Sequence, residues 1–417
     1  MPDDWGTERR EPEAVGRPRR GMSRAERHRA KRNRKRRRFG SVLALTVLIV
    51  VVVGVVFLGS RMWHGLFGGS ESDYAGDGLK DVVIEVRNGD STTAIGQTLK
   101  DEDVVATSTA FVSAASGNSA ISAIQPGFYK VRTQISGTDA VARLADPASR
   151  VGRLVIPEGR QLDDITDVKT NAVTDGILTL ISKATCVDLD GAEQCVDAGQ
   201  LKDVAANADA VALGIPQWAV EPIKVMGADH RRIEGLIAPG TWNVDPSASP
   251  QDILKSLVGA STAQYEQNGL LQAGQAGNMS PYQILIVASL VQRESKPQDF
   301  AKVARVIYNR LVSPENRRLE FDSTVNYSLD RQEVATTDAD RSRETPWNTY
   351  VREGLPVTPI CSPGQPALAA AENPEPGDWL YFVTVDLQGT TLFTRDYQQH
   401  LANIDVAMRN GVLDSAR

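Results

Sequence analysis

Ser280-Pro281-Tyr282-Gln283-Ile284-Leu285-Ile286-Val287-Ala288-Ser289-Leu290-Val291-Gln292-Arg293-Glu294-Ser295-Lys296-Pro297 reads as a helix with a signalled start, a signalled stop and one misplaced charge. Ser280 supplies a cap, Pro281 suits the first helical position, Gln283 stands where a capping box wants it, and Pro297 blocks continuation. Ile284, Val287, Ala288 and Val291 recur at three- and four-residue spacing, and Glu294 is the next position on that apolar stripe. The spacing aims a carboxylate at the interior. Desolvation and the negative end of the helix dipole both disfavour its ionised form, so its proton is held to higher pH. A carboxylic acid still protonated near neutrality is what general-acid cleavage of a glycosidic bond requires. The bland alternative is a Glu at a fraying helix end that turns to solvent or pairs with Arg305 or Arg310.

Outward from this helix, the 417 residues have room for several domains, and their net charge of -6 hides an asymmetry. Residues 1–40 carry 15 Lys or Arg against 6 acids, a +9 tail ahead of a body of -15. Between them, Ser41 to Gly59 is an uninterrupted uncharged run, long enough to cross a bilayer as a helix. Residues 41–60 are therefore expected to be a single plasma-membrane span. The basic cluster at residues 31–38 keeps the N-terminus cytoplasmic and puts the body outside. The length of the run and the lack of a small-x-small site argue against a cleaved signal peptide. Adjacency to the span favours this topological role for the basic tail over nucleic-acid binding. Cys186, Cys195 and Cys361 allow three pairings, and Cys186 with Cys195 would clip a short loop. With four His and no Cys-x-x-Cys, no metal site is expected, and no cofactor.

Taken in order, residues 61–80 read as a linker and residues 81–170 as a small module. Val82-Val83-Ile84-Glu85-Val86 is strand-like, Asn88-Gly89-Asp90 turns, and Ser91 opens a helix through Leu99. Leu154-Val155-Ile156-Pro157-Glu158-Gly159 looks like a second strand, glycine turn and helix. A clearer echo joins Ile124-Gln125-Pro126-Gly127-Phe128-Tyr129, followed by Ser136 and Asp139, to Ile237-Ala238-Pro239-Gly240-Thr241-Trp242, followed by Ser249 and Asp252. Residues 171–230 read as a connector or insertion with a helix near Leu201 to Leu213. Phe300 to Leu311 is a second amphipathic helix, Trp379 to Val385 pairs with Leu392-Phe393 across a Gln388-Gly389 turn, and Tyr397 to Met408 closes the chain as a helix. The fold expected is α+β, with the catalytic domain in residues 231–417.

Several of these segments together resemble the endolytic murein transglycosylase (MltG or YceG-like) family. Ala288-Ser289-Leu290-Val291-Gln292-Arg293-Glu294-Ser295 is similar to the family signature, whose catalytic Glu falls on Glu294. Further matches follow in family order: Ile233-Glu234-Gly235-Leu236, Val306 to Leu311, Leu319 to Val325, and Asn348-Thr349-Tyr350 through Gly354-Leu355-Pro356 to Gly364. The region around residues 82–112 is similar to the family's LysM-like glycan-binding part. Gly240, Glu320, Phe321 and Ser323 depart from the common pattern.

The resemblance implies non-hydrolytic cleavage of the bond between N-acetylmuramic acid and N-acetylglucosamine in peptidoglycan strands, leaving 1,6-anhydro ends. It also implies a membrane-anchored body working among cell-wall synthesis proteins. Glu294 would act as acid and then base. Asn348, Tyr350, Asp322 and Thr324 offer polar groups to position the sugar, although Asn348 could equally cap a turn, Tyr350 sit in the core and Asp322 cap a helix near Thr324. Two rivals stand beside this reading: a glycoside hydrolase with Asp322 as second carboxylate, and a glycan-binding scaffold that does not cut. A third, a binder of nucleic acid or lipid headgroups, would depend on the basic tail.

Overall fold

The computed structural model describes residues 73–277, 279–314, 317–332 and 336–412. The basic tail and the expected span at residues 41–60 lie outside them; among the described residues no helix is long and apolar enough to cross a membrane. The described chain is mixed α and β, organised around two separate apolar cores.

The first core lies within residues 82–144. Strand Asp81–Val86 pairs antiparallel with Gly127–Arg132, Val82 opposite Val131 and Ile84 opposite Tyr129. Helices Thr92–Asp101 and Ser108–Ala115 lie between these strands in sequence, and Gly137–Ala145 follows. Period-two alternation sends Ile84, Val86, Tyr129 and Val131 to one face. There they meet Leu99, Phe111, Val141 and Leu144, all buried. Ser91 caps the first helix as its sequence indicates, accepting from the Ala94 amide.

Gly152 carries the chain from one core to the other at φ 69°, and a Cβ there would sit 1.9 Å from the Val244 carbonyl oxygen. Only glycine fits that approach. Beyond it, Arg153–Ile156 pairs antiparallel with Gly240–Asn243, and Leu154 and Ile156 enter the second core. The internal echo is structural: Gly127–Arg132 and Gly240–Asn243 are both strands opening on a positive-φ glycine, and each leads to a helix capped by serine. Ser136 accepts from the Asp139 amide, and Ser249 from the Asp252 amide. The other expected repeat fails. After Gly159 no helix forms; Ile165–Asp167 is instead a short strand between Val173–Thr174 and Arg331–Gln332.

Residues 171–230 are more than a tether. Helix Ile177–Ala184 places Ile177, Leu178 and Ile181 in the second core, and helix Ala198–Asn207 adds Leu201 and Ala205. Between them, hairpin Val187–Leu189 with Ala192–Gln194 is closed by a Cys186–Cys195 disulfide, which settles the pairing and leaves Cys361 as a buried thiol. The hairpin's turn reaches the first module: the Asp190 carboxylate accepts from the Asp81 amide and the Asp81 carboxylate from the Asp190 amide, both at 3.0 Å.

Helix Pro281–Glu294 occupies the middle of the second core. Its capping box is complete, with Ser280 accepting from the Gln283 amide and the Gln283 side chain accepting from the Ser280 amide. Every residue from Ile284 to Val291 is buried, so the helix is apolar all round rather than striped, as a helix enclosed by others must be. It packs on Gln365–Glu372, Phe300–Val312, Leu270–Gly277, Gln217–Ile223 and Asp322–Ser328. The late hairpin forms as Tyr381–Thr384 with Thr391–Thr394, Val383 opposite Leu392, and Tyr397–Arg409 is the last described helix.

Candidate active site

The central helix delivers Glu294 to its own C-terminal end, where backbone carbonyls lack helical partners and the core meets solvent. The carboxyl is half-buried, and desolvation pushes it up to about 7. The Ser323 hydroxyl and amide face it and favour the charged form, while nearby Asp322 opposes it and Arg293 assists it. The sequence expected this direction from burial, and burial is its largest cause. The Ser323 hydroxyl, though buried, has no completed hydrogen bond to another side chain or to backbone.

Ser323 and Asp322 come from the short helix Asp322–Ser328, whose cap position is Phe321. Asp322 is thus the first helical residue and not a cap. Its two oxygens are heavily used: Oδ1 accepts from the Tyr350 hydroxyl at 2.8 Å, the Thr336 hydroxyl at 2.7 Å and Arg341 Nε at 3.1 Å, and Oδ2 accepts from Arg341 Nη2 at 3.1 Å. Tyr350 is half-buried, with its phenol pushed up by burial and by Asp322, and Glu294 is near enough to add to the rise. Glu294, Asp322 and Tyr350 are therefore gathered at one place.

Thr324 and Asn348 are not at the surface of that place. Thr324 is fully buried, its hydroxyl donating to the Phe321 carbonyl and lying 3.0 Å from the Thr349 hydroxyl. Asn348 is also buried; its amide nitrogen donates to the Arg341 and Arg343 carbonyls, and its oxygen accepts from the Tyr350 amide. In this structure both side chains make their hydrogen bonds inside the protein and act as braces. What they brace is the pair of segments that present Ser323 and Tyr350.

The opposite side of the helix end is fixed by backbone. The Gly159 amide donates to the Ser362 carbonyl, the Gly364 amide to the Gln292 side chain, and Arg293 Nη1 reaches the Gly159 carbonyl at 3.5 Å. Farther in, Glu234 is a second buried carboxyl, pushed by burial up to about 8. One of its oxygens accepts from both the Leu162 amide and the Tyr327 hydroxyl, tying the loop after Ile156 to the Asp322–Ser328 helix. Gly235 follows at φ 76°, where a Cβ would lie 2.6 Å from Pro359. Ser323, Arg341 and this role of Glu234 were missed by sequence reasoning. Ser323 and Glu234 lay inside matched segments without a role, and nothing marked Arg341. Cys361 donates to the Ser289 carbonyl, and burial pushes its thiol up, so it is a packing residue. Among the described residues, the one cluster with metal-ligand proximity is Cys186, Glu193 and Cys195, and its sulfurs are joined to each other.

Comparison with known proteins bears on residues 84–406, which match the profile of the YceG-like family. The endolytic murein transglycosylase of Bacillus subtilis is 27% identical over 327 residues, covering 78% of this chain and 84% of that protein. The endolytic murein transglycosylase of Streptococcus pneumoniae is 26% identical over 382 residues, covering 85% of this chain but 64% of that longer protein. The crystal structure of a putative yceG-like protein from Listeria monocytogenes superposes with a TM-score of 0.50 at 23% identity, over 77% of this chain and 98% of that one. That likeness concerns the fold alone.

Proposed function

The chain belongs to the YceG-like family, and from that premise we propose that it is an endolytic lytic transglycosylase of peptidoglycan, with Glu294 as its catalytic residue. The observation that carries the assignment of Glu294 is a carboxyl held near neutrality at the end of a buried helix, beside a second carboxylate that is already saturated.

The chemistry follows from those two facts. Neutral Glu294 donates its proton to the glycosidic oxygen as the bond from that oxygen to the muramyl anomeric carbon breaks. The muramyl C6 oxygen bonds to the anomeric carbon, and its proton passes to the Glu294 carboxylate, which is thereby reset. No water enters. Because the nucleophile is tethered to the sugar, its effective concentration is on the order of 10⁵ M or more, and no second carboxylate is needed to activate it. A hydrolase would need one. Asp322, the candidate, spends its oxygens on Arg341, Thr336 and Tyr350, which argues for the transglycosylase.

The same proposal extends to the rest of the chain. Residues 41–60 span the plasma membrane once, with the basic residues 31–38 on the cytoplasmic side and the body outside, as the charge asymmetry supports. The strand–helix–helix–strand module starting at Asp81 serves as a LysM-like grip on the glycan strand that the Glu294 cleft cuts. Acting on nascent strands beside wall-synthesis proteins, the enzyme would end their elongation. Cleavage assays on uncrosslinked strands, with Glu294→Gln as control, test the reading; retained cleavage by that variant would remove Glu294 from the mechanism.

A further inference from the structure

Glu294 accounts for breaking the bond but does not hold the sugar in front of itself. Tyr350 is the half-buried group beside it whose hydrogen-bonding direction is fixed. A phenol has one hydrogen, and that of Tyr350 goes to Asp322 at 2.8 Å, so only lone pairs remain to face a ligand. Asp322 can demand that hydrogen because Arg341 holds it in a two-pronged grip, Nε to one oxygen and Nη2 to the other, each at 3.1 Å. The Arg341 guanidinium also lies 5.1 Å from the centroid of the Tyr350 ring. One arginine therefore fixes both the ring and the carboxylate that orients its hydroxyl.

We propose that Arg341 is a positioning residue which, through Asp322, keeps Tyr350 an obligate hydrogen-bond acceptor beside Glu294, where it takes a hydrogen bond from a hydroxyl or amide N–H of the bound amino sugar. This inference rests on the transglycosylase reading. A hydroxyl or acetamido donor anchored on Tyr350 fixes the rotation of the ring relative to the acid, and with it the path from the C6 oxygen to the anomeric carbon. Arginine suits the task because its planar fork matches a carboxylate, whereas lysine offers only a point charge.

The test uses the full-length protein in detergent on uncrosslinked peptidoglycan strands, measuring kcat and KM for anhydro-end formation together with melting temperature. The variants are Glu294→Gln, Tyr350→Phe, Arg341→Ala, Arg341→Lys and the double variant Arg341→Ala with Tyr350→Phe. Tyr350→Phe and Arg341→Ala are each expected to lower kcat/KM on the order of 10- to 100-fold, with Arg341→Lys recovering part of the loss. The double variant should be no slower than Tyr350→Phe alone, because Arg341 acts through a hydroxyl already removed. Losses that multiply in the double variant would overturn the proposal. So would an Arg341→Ala loss that follows a fall in melting temperature and is not relieved by lysine. Full cleavage by Glu294→Gln would instead sink the underlying reading, and the inference with it, a result distinguishable because it needs no variant of Arg341.

Discussion

Glu294 holds its proton to about pH 7 because the burial of its carboxyl outweighs the support that Ser323 and Arg293 give to the charged form, and this fixes the sign of two pH effects. The acid must start protonated, so kcat should fall as pH rises through about 7, a limb that initial rates of anhydro-end formation would show. Its folded value also exceeds the ordinary 4.5, so its contribution to stability is full below 4.5 and is lost as pH rises through about 7. Glu234 acts with the same sign over a window reaching about 8. Glu234→Gln keeps the oxygen that takes both the Leu162 and Tyr327 donors and copies the neutral form. At pH 8.5 it should melt above the wild type, and a melting temperature that drops there would refute the assignment. The aim of Glu294 was legible, since helical period alone extends the apolar positions to it. The inward turn of Thr324 and Asn348 was not. Short polar side chains satisfy backbone groups as readily as ligands, and only the folded neighbourhood decides which.

The central helix shows what can be read at the scale of an element. Its cap and its stop are local chemistry, and both appear where Ser280, Gln283 and the Ser295–Pro297 end place them. The burial of Ile284 to Val291 is tertiary, set by five other helices that the sequence does not locate. Ser280→Ala should cost about 1 kcal/mol of stability by denaturant titration. Leu290→Ala, at a fully buried position, should cost about 2–5 kcal/mol. If the order were reversed, the helix would depend on its end rather than its packing. The Ser136 and Ser249 caps were legible for the same local reason. Ile165 was misread because a glycine turn after a strand suits either a helix or another strand, and pairing with Val173–Thr174 chose the strand.

At the scale of the whole molecule, the two cores of the described residues meet through Gly152 and through polar bridges, and among those residues apolar packing does not merge them. Besides the Asp81–Asp190 exchange, Lys130 donates to the Asp188 carbonyl, and Arg150 reaches Asn243 at 3.0 Å. The disulfide closes the hairpin that carries Asp190, and a link across nine residues stabilises by about 2–3 kcal/mol in the chain-entropy account. Replacing Cys186 and Cys195 by Ser should therefore speed hydrogen exchange in the hairpin and along the Asp81–Val86 edge, leaving the Pro281–Glu294 helix protected. Unchanged exchange at that edge would show that the hairpin does not hold the module. This arrangement was hidden because residues 171–230 are rich in Ala and Asp, a composition that does not announce Ile177, Leu178 and Leu201 as core.

The central claim, that one carboxyl cuts the strand without water, is tested most directly by mass spectrometry of the products that the full-length protein and Glu294→Gln release from uncrosslinked peptidoglycan strands. The account predicts 1,6-anhydro ends from the wild type, 18 mass units lighter than hydrolytic ends by the loss of one water, and none from the variant. Reducing ends that depend on Glu294 would contradict it and turn attention back to Asp322 as the activator of water.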